Sequence, residues 1–134
     1  MKRVFLDANV LFSAAWRAEA GLTQLWTLKQ IELLSSRYAC EEARRNLPLP
    51  EQQRRLEQLV TNVRLVADIA VGYLPVGVVL PEKDRPILLS TIRAKATHLL
   101  TGDRQHFGAL YGQSIEGVTV MRPAEFLLLV VSGA

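Results

Sequence analysis

The chain has 134 residues, 49% of them hydrophobic, which predicts one globular domain over residues 1–134 and excludes a disordered chain. Its single cysteine, Cys40, excludes an internal disulfide framework and a cysteine-rich metal site, and it favours a cytoplasmic location. The apolar runs are too short to span a bilayer, and the net charge of +3 suits an acidic partner such as nucleic acid without establishing one.

Short apolar runs alternate with segments of helical periodicity along the chain. In chain order the pattern predicts a strand over 4–6, helices over 10–17 and 22–30, a strand over 31–34, a helix from Ser35 or Ser36 toward Leu47, a helix over 51–62 and a strand over 63–66. It then predicts a helix from 84–86 to 95, strands over 97–101 and 118–120, and a helix from Pro123 through Leu129. This alternation is typical of an α/β fold, a three-layer α/β/α sandwich around a mainly parallel sheet of four to five strands.

Four carboxylates fall at related places in this pattern. Asp7 directly follows the first strand, and Asp103 follows the strand over 97–101. Asp84 begins a helix, and Glu42 lies in the helix after the second strand. Because the carboxyl ends of parallel strands and the starts of the following helices share one edge of a sheet, we expect these acids to converge.

Converging carboxylates repel one another, by about 4 kcal/mol for two charges about 4 Å apart at an effective dielectric constant of about 20. Such a cluster either retains protons or binds a cation, and oxygen ligands favour Mg²⁺ or Mn²⁺. Three of the acids have ordinary explanations when taken alone: Asp84 as a helix cap, Glu42 as a solvated helix residue, Asp103 as a turn residue. Asp7 has the weakest such explanation, because an acid directly after a buried apolar strand is otherwise costly. The set of four favours a metal site over these alternatives.

Four segments in this order resemble PIN domains: LDANVL at 6–11, EEARR at 41–45, EKDRPI at 82–87, and LLTGD at 99–103 followed by Phe107. The resemblance covers nearly the whole chain. It implies a small α/β/α fold with an Mg²⁺- or Mn²⁺-dependent nuclease site that often acts on RNA. Many bacterial members are VapC-type toxins, each inhibited by a small antitoxin that is usually encoded beside it.

The resemblance assigns catalysis and metal binding to Asp7, Glu42, Asp84 and Asp103. Glu42 is preferred to Glu41 because an apolar residue, Ala43, follows it directly. The residues that would orient the acids by hydrogen bonding are Asn9 and Thr101, with Ser13 as a weaker candidate. Some members carry a further acid where this chain has His106, which puts a second metal ion in doubt.

Contacts to substrate phosphates are expected from Arg17, Arg45, Arg85, Arg104 and His106. The predicted function is an Mg²⁺- or Mn²⁺-dependent endoribonuclease, the toxin of a toxin–antitoxin pair, acting as a homodimer. Two alternatives stay open: a non-catalytic PIN-like module that binds RNA or protein, and a housekeeping RNA-processing nuclease without an antitoxin. A phosphatase of the haloacid dehalogenase type is disfavoured, because it needs a second acid where this chain has Asn9.

Overall fold

The centre of the molecule is β1 (Lys2–Leu6), a strand whose last three residues, Val4, Phe5 and Leu6, are completely buried. Burial of such side chains contributes about 1.5–3 kcal/mol each. Parallel strands flank β1 on both sides, which explains why it is apolar without alternation. The fold is that of a computed structural model in which residues 1–131 are described. Residues 132–134, which the predicted single domain includes, lie outside the described residues.

Strands and α-helices alternate through most of the described chain. The other strands are β2 (Ile31–Ser36), β3 (Arg64–Val66), β4 (His98–Leu100), β5 (Ser114–Ile115) and β6 (Val118–Met121). The α-helices are α1 (Ala8–Ala15), α2 (Arg37–Asn46), α3 (Pro50–Val60), α4 (Arg85–Arg93), α5 (Arg104–Phe107) and α6 (Pro123–Val131). Shorter 3-10 segments lie at Gly21–Thr27, Glu82–Asp84 and Gly108–Leu110.

The strands form one sheet in the order β3-β2-β1-β4-β6-β5. Every pairing is parallel except that of β5 with β6, and Leu6 at the end of β1 lies opposite Leu100 at the end of β4. The chain travels outward from β1 through β2 to β3, and then returns to the other side of β1 as β4. The direction of travel therefore reverses between β1 and β4, and the carboxyl ends of strands at such a reversal border a crevice where α/β sheets bind ligands.

Helix ends position the neighbouring segments. Ser36 caps α2, because its hydroxyl accepts a hydrogen bond of 3.2 Å from the backbone N–H of Ala39. The indole N–H of Trp26 donates to the carbonyl of Leu59 at 2.9 Å and ties the 3-10 segment to α3. Helix α1 packs against both α2 and α3.

The predicted α/β/α sandwich with a mainly parallel sheet is confirmed, but the expected four to five strands were too few: the sheet has six. The strand missing from the prediction is β5, whose two residues are too few to show a period. The helix expected over 22–30 was also wrong, because this segment is a 3-10 helix ending at Thr27. Its Thr23 and Thr27 hydroxyls donate to carbonyls three residues earlier, which favours tight turns over a regular α-helix.

Among residues 1–131, no helix combines the length and the apolar character needed to cross a bilayer.

Candidate metal centre at the edge of the sheet

Asp7 is held by hydrogen bonds on both carboxylate oxygens. It ends β1 and caps α1, with Oδ1 accepting a 2.7 Å hydrogen bond from the backbone N–H of Ala8. Oδ2 accepts from the hydroxyl of Thr101 at 2.8 Å and from the side-chain amide of Asn9 at 3.1 Å. The residue is only 4% exposed, so these three donors replace the water that the carboxylate would otherwise bind.

Thr101 and Asn9 connect the two strand ends at the reversal point. The Thr101 hydroxyl oxygen accepts the backbone N–H of Asp103 at 3.1 Å and the side-chain amide of Asn9 at 3.3 Å. The amide oxygen of Asn9 accepts the backbone N–H of Gly102 at 2.7 Å. A Cβ at Gly102 would lie 3.4 Å from that amide oxygen, so glycine permits the close approach. One network therefore sets the positions of Asp7 and Asp103 together.

Asp84, Asp103 and His106 form a second group at the same edge. Nδ1 of His106 lies 2.8 Å from Oδ2 of Asp103 and 2.9 Å from Oδ2 of Asp84. Each of the three residues offers a ligand atom, and these atoms all lie within 4.8 Å of one another. The three residues therefore have the chemistry and the spacing to hold a metal ion.

Asp84 is buried but poorly paired. It is 6% exposed, and its Oδ1 meets the ammonium group of Lys83 at 3.5 Å. Its Oδ2 makes no hydrogen bond, although the His106 ring is close. The side chain does not cap α4 either, so a capping role does not explain the position of this acid.

Glu42 lies on α2 beside a cavity of about 230 Å³. The cavity is lined by Ala8, Asn9, Phe12, Glu42, Ala43 and Asn46. Glu42 is half-buried, and its charge contributes to the pKa of Asp7 and of Tyr38. The cavity lining that Glu42 shares with Ala8 and Asn9 places it near Asp7, outside the group of Asp84, Asp103 and His106.

The pKa of Asp7 reflects this crowding. Burial raises the pKa of Asp7 from 3.8 to about 6, against the lowering effect of the hydrogen bonds from Thr101 and Ala8. The negative charges of Asp84 and Glu42 add to the increase. Burial works against the ammonium charge of Lys83, but Asp84 and Glu42 together outweigh it and raise the pKa of Lys83. The edge therefore favours any added positive charge.

Among the other residues predicted for the site, Arg85 and Arg104 are exposed and directly follow Asp84 and Asp103 in the chain. Arg45 is exposed in the last turn of α2, and Ser13 is exposed on α1. Arg17 lies beyond the carboxyl end of α1, whose last residue, Ala15, is about 12 Å along the helix from Asp7 by the rise of an α-helix. It lines a different cavity with Trp26 and Arg55, so the structure does not bring it to the acids.

Two tyrosines at this edge were missed by sequence reasoning. The hydroxyl of Tyr38 donates to the carbonyl of Lys83 at 2.5 Å, and burial with the charges of Glu42 and Asp84 raises the pKa of Tyr38. Its spacing of four residues before Glu42, on one face of a helix, was the available signal. The hydroxyl of Tyr111 donates to the carbonyl of Thr101 at 2.9 Å, and no local pattern indicated that contact.

A divalent cation fits these residues. A buried carboxylate oxygen without a hydrogen bond is costly, and Oδ2 of Asp84 is such an atom, although Nδ1 of His106 lies 2.9 Å away. A cation coordinated by Asp84, Asp103 and His106 would supply the missing interaction and reduce the repulsion with Asp7 and Glu42. The arrangement could therefore hold a metal ion at an acidic edge of the sheet.

Comparison with models of known protein families and with curated proteins found no significant match.

Proposed function

We propose that this protein is a metal-dependent nuclease of the PIN type that hydrolyses phosphodiester bonds of RNA. The observation that carries the proposal is the buried Asp84, whose Oδ2 has no hydrogen bond and faces Asp103 and His106 at the sheet reversal. A non-catalytic scaffold gains nothing from a buried acid that has an oxygen without a hydrogen bond and lies among other carboxylates. The same cost is expected where a site is built for a cation.

A bound Mg²⁺ or Mn²⁺ would supply a water of lowered pKa and neutralise charge on the phosphate. Residues of the chain hold the ligand side chains in position by hydrogen bonds. Thr101 and Asn9 hold Asp7 in one orientation, and the backbone N–H of Asp103 is held by the same Thr101 hydroxyl. Such support of ligand residues is what an in-line reaction requires of a protein.

Positive side chains beside the acids give the edge a way to hold a phosphate backbone. The pKa of Lys83 is raised, so it stays charged at neutral pH. Arg85 and Arg104 are exposed and flank the two aspartates in sequence. Together with the net charge of +3, they favour a nucleic acid over a neutral substrate.

The further parts of the proposal concern the biology of the site. A toxin role, a small antitoxin partner and a homodimer follow from the resemblance to VapC-type proteins, and the single cysteine favours a cytoplasmic location. Exposed apolar side chains on α6, Leu128 and Val131, are compatible with a protein partner. A housekeeping RNA-processing nuclease and a binding module are the alternatives to be separated by experiment.

Cleavage is tested with a mixed RNA pool and DNA of the same sequences, in Mg²⁺, Mn²⁺ or a chelator. Asp7→Asn and Glu42→Gln should reduce RNA cleavage by at least about a hundredfold, since loss of even an outer-shell residue costs 10–100-fold. Glu41→Gln is the matched control, because Glu41 is the exposed neighbour of Glu42 on the same helix. Equal cleavage by the wild-type chain and Asp7→Asn would sink the catalytic assignment.

The toxin role is tested separately by inducing the chain in its host. Growth arrest by the wild-type chain but not by Asp7→Asn, and its relief by a small protein encoded beside the gene, supports a toxin. Cleavage in vitro without growth arrest favours the housekeeping nuclease.

A further inference from the structure

His106 is the one nitrogen ligand that the structure brings to the described acid edge. Its backbone N–H donates to Oδ1 of Asp103 at 3.1 Å, and the next residue, Phe107, is completely buried. The hydrogen bond and the buried anchor together fix the start of α5 and hold the imidazole toward the acids. Its side chain is 24% exposed, so an ion from solvent has access.

The spacing around Nδ1 is that of neighbouring ligands on one ion. Two metal–ligand bonds of about 2.1 Å at a right angle place their ligand atoms about 3 Å apart. Nδ1 of His106 lies 2.8 Å from Oδ2 of Asp103 and 2.9 Å from Oδ2 of Asp84. Two of the three ligand-to-ligand distances therefore match those of neighbouring ligands on one ion, and the ligand atoms of all three side chains lie within 4.8 Å of one another.

A hydrogen bond alone leaves this group incomplete. Nδ1 carries at most one proton, and it serves Asp103, while Oδ2 of Asp84 remains without a hydrogen bond in a residue that is 6% exposed. An ion bound by the Nδ1 lone pair and both carboxylates would satisfy all three atoms at once. Oδ2 of Asp84 therefore lies 2.9 Å from Nδ1 of His106 without a hydrogen bond, and an ion shared by the two atoms would account for this spacing.

We propose that His106 coordinates the ion through Nδ1, which makes the site a mixed nitrogen and oxygen centre that prefers Mn²⁺, Co²⁺ or Zn²⁺ to Mg²⁺. Imidazole suits first-row transition ions, whereas Mg²⁺ takes oxygen ligands and gives up its water reluctantly. This inference deepens the proposed function and rests on it for its purpose. Cation binding, however, is measurable without any cleavage.

The test follows the imidazole nitrogens of the tag-free, metal-free protein by ¹⁵N NMR during titration with Zn²⁺ and then with Mg²⁺. The chain has only two histidines, so His98→Gln assigns the signals and serves as the matched control. We expect Zn²⁺ to shift Nδ1 of His106 and to leave His98 unchanged. Calorimetry should show Zn²⁺ affinity falling at least about tenfold in His106→Gln, with a smaller change for Mg²⁺.

His106→Asp sharpens the test, because it restores an all-oxygen site. His106→Asp should still bind both ions, but the ratio of its Zn²⁺ affinity to its Mg²⁺ affinity should be at least about tenfold smaller than in the wild type. The inference is overturned if Zn²⁺ binds with the His106 nitrogens unchanged, or if no ion binds and His106 remains paired only with the two acids. If Zn²⁺ shifts the imidazole nitrogens but the protein does not cleave RNA, the coordination by His106 stands and the proposed nuclease function is overturned. If the protein cleaves RNA, Asp7→Asn abolishes the cleavage and the imidazole signals do not shift, the nuclease function stands and the coordination by His106 is overturned.

Discussion

Two buried aspartates meet at the same edge of the sheet, and their surroundings differ. Asp7 is 4% exposed and accepts hydrogen bonds from Ala8, Asn9 and Thr101. Asp84 is 6% exposed, yet its Oδ2 has no hydrogen bond and lies 2.9 Å from Nδ1 of His106, while Oδ1 meets Lys83 at 3.5 Å. Hydrogen bonds therefore satisfy both oxygens of Asp7, whereas Asp84 belongs to a group that could hold a metal ion.

The difference has a consequence for stability. Hydrogen bonds fix the position of Asp7 but do not offset its burial, since its pKa is raised to about 6. Asp7 therefore costs folding energy at neutral pH in the absence of a cation. Four experiments separate the two cases.

The largest effect is expected from the pH dependence of Asp7. Because its pKa is 3.8 before folding and about 6 after, the folded state binds the proton more tightly, and stability falls as pH rises through this window. A pKa difference of this size corresponds to about 3 kcal/mol, fully lost above about pH 7. In urea unfolding with a chelator, the stability of Asp7→Asn relative to wild type should rise by up to about 3 kcal/mol between about pH 4 and pH 7.5. A constant difference across this range would show that Asp7 ionises normally.

A nearly equal effect is expected when a cation binds beside Asp84. Mn²⁺ at about 100 times its Kd should stabilise the wild-type protein by about 2.7 kcal/mol against unfolding. Asp84→Ala should lose most of this gain, because it removes a ligand, whereas the exposed Glu82→Ala control should keep it. Equal stabilisation of all three proteins by Mn²⁺ would place the binding site elsewhere.

Thr101→Val tests the hydrogen bonds that hold Asp7 in place. The change keeps the shape of the side chain but removes the donor to Asp7 and the acceptor for the Asp103 N–H. We expect a loss of about 2 kcal/mol in unfolding free energy, typical of a buried hydrogen bond to a charged group. Thr91→Val is the control: Thr91 is equally buried but donates only to the carbonyl of Ile87 within α4. A cost no larger than that of the control would mean that Thr101 is only a packing residue.

Tyr38→Phe should have the smallest effect. It removes the hydrogen bond to the carbonyl of Lys83, just before Asp84, at a cost of about 1 kcal/mol in unfolding free energy. Because this hydrogen bond holds the backbone next to Asp84, the change should reduce the free energy of Mn²⁺ binding by more than it reduces the free energy of unfolding. Tyr111→Phe, which loses a contact to Thr101 instead, provides the comparison on the Asp7 side. If both variants bind Mn²⁺ with the same affinity as the wild type, Tyr38 does not position Asp84.

Much of the fold was predictable because it depends on local patterns. The completely buried 4–6 segment is a run of apolar residues, and Ser36 was one of two expected caps for α2. The 22–30 segment was misjudged because threonine hydroxyls turned it into a 3-10 helix, a competition that hydrophobic spacing does not show.

The edge of the sheet at which the predicted acids lie could be predicted, and their contacts could not. Asp7 and Asp103 stand after strands, so their edge of the sheet follows from the chain's direction. The contact of His106 with phosphate stays a prediction, and the sequence did not indicate that the His106 ring lies beside two carboxylates. The orientation of the His106 side chain depends on the backbone of α5, and a helix of four residues is too short to show a helical period in the sequence.

The sequence by itself determined the alternation of strands and helices and the acids at their ends, because apolar period and chain direction are local properties. Only the tertiary structure decided the strand order, the hydrogen bond of Thr101 to Asp7 across 94 residues, and the missing hydrogen bond on Oδ2 of Asp84. These features depend on how distant segments pack to within a fraction of an ångström, because that packing determines whether a buried carboxylate oxygen has a hydrogen-bond donor within reach.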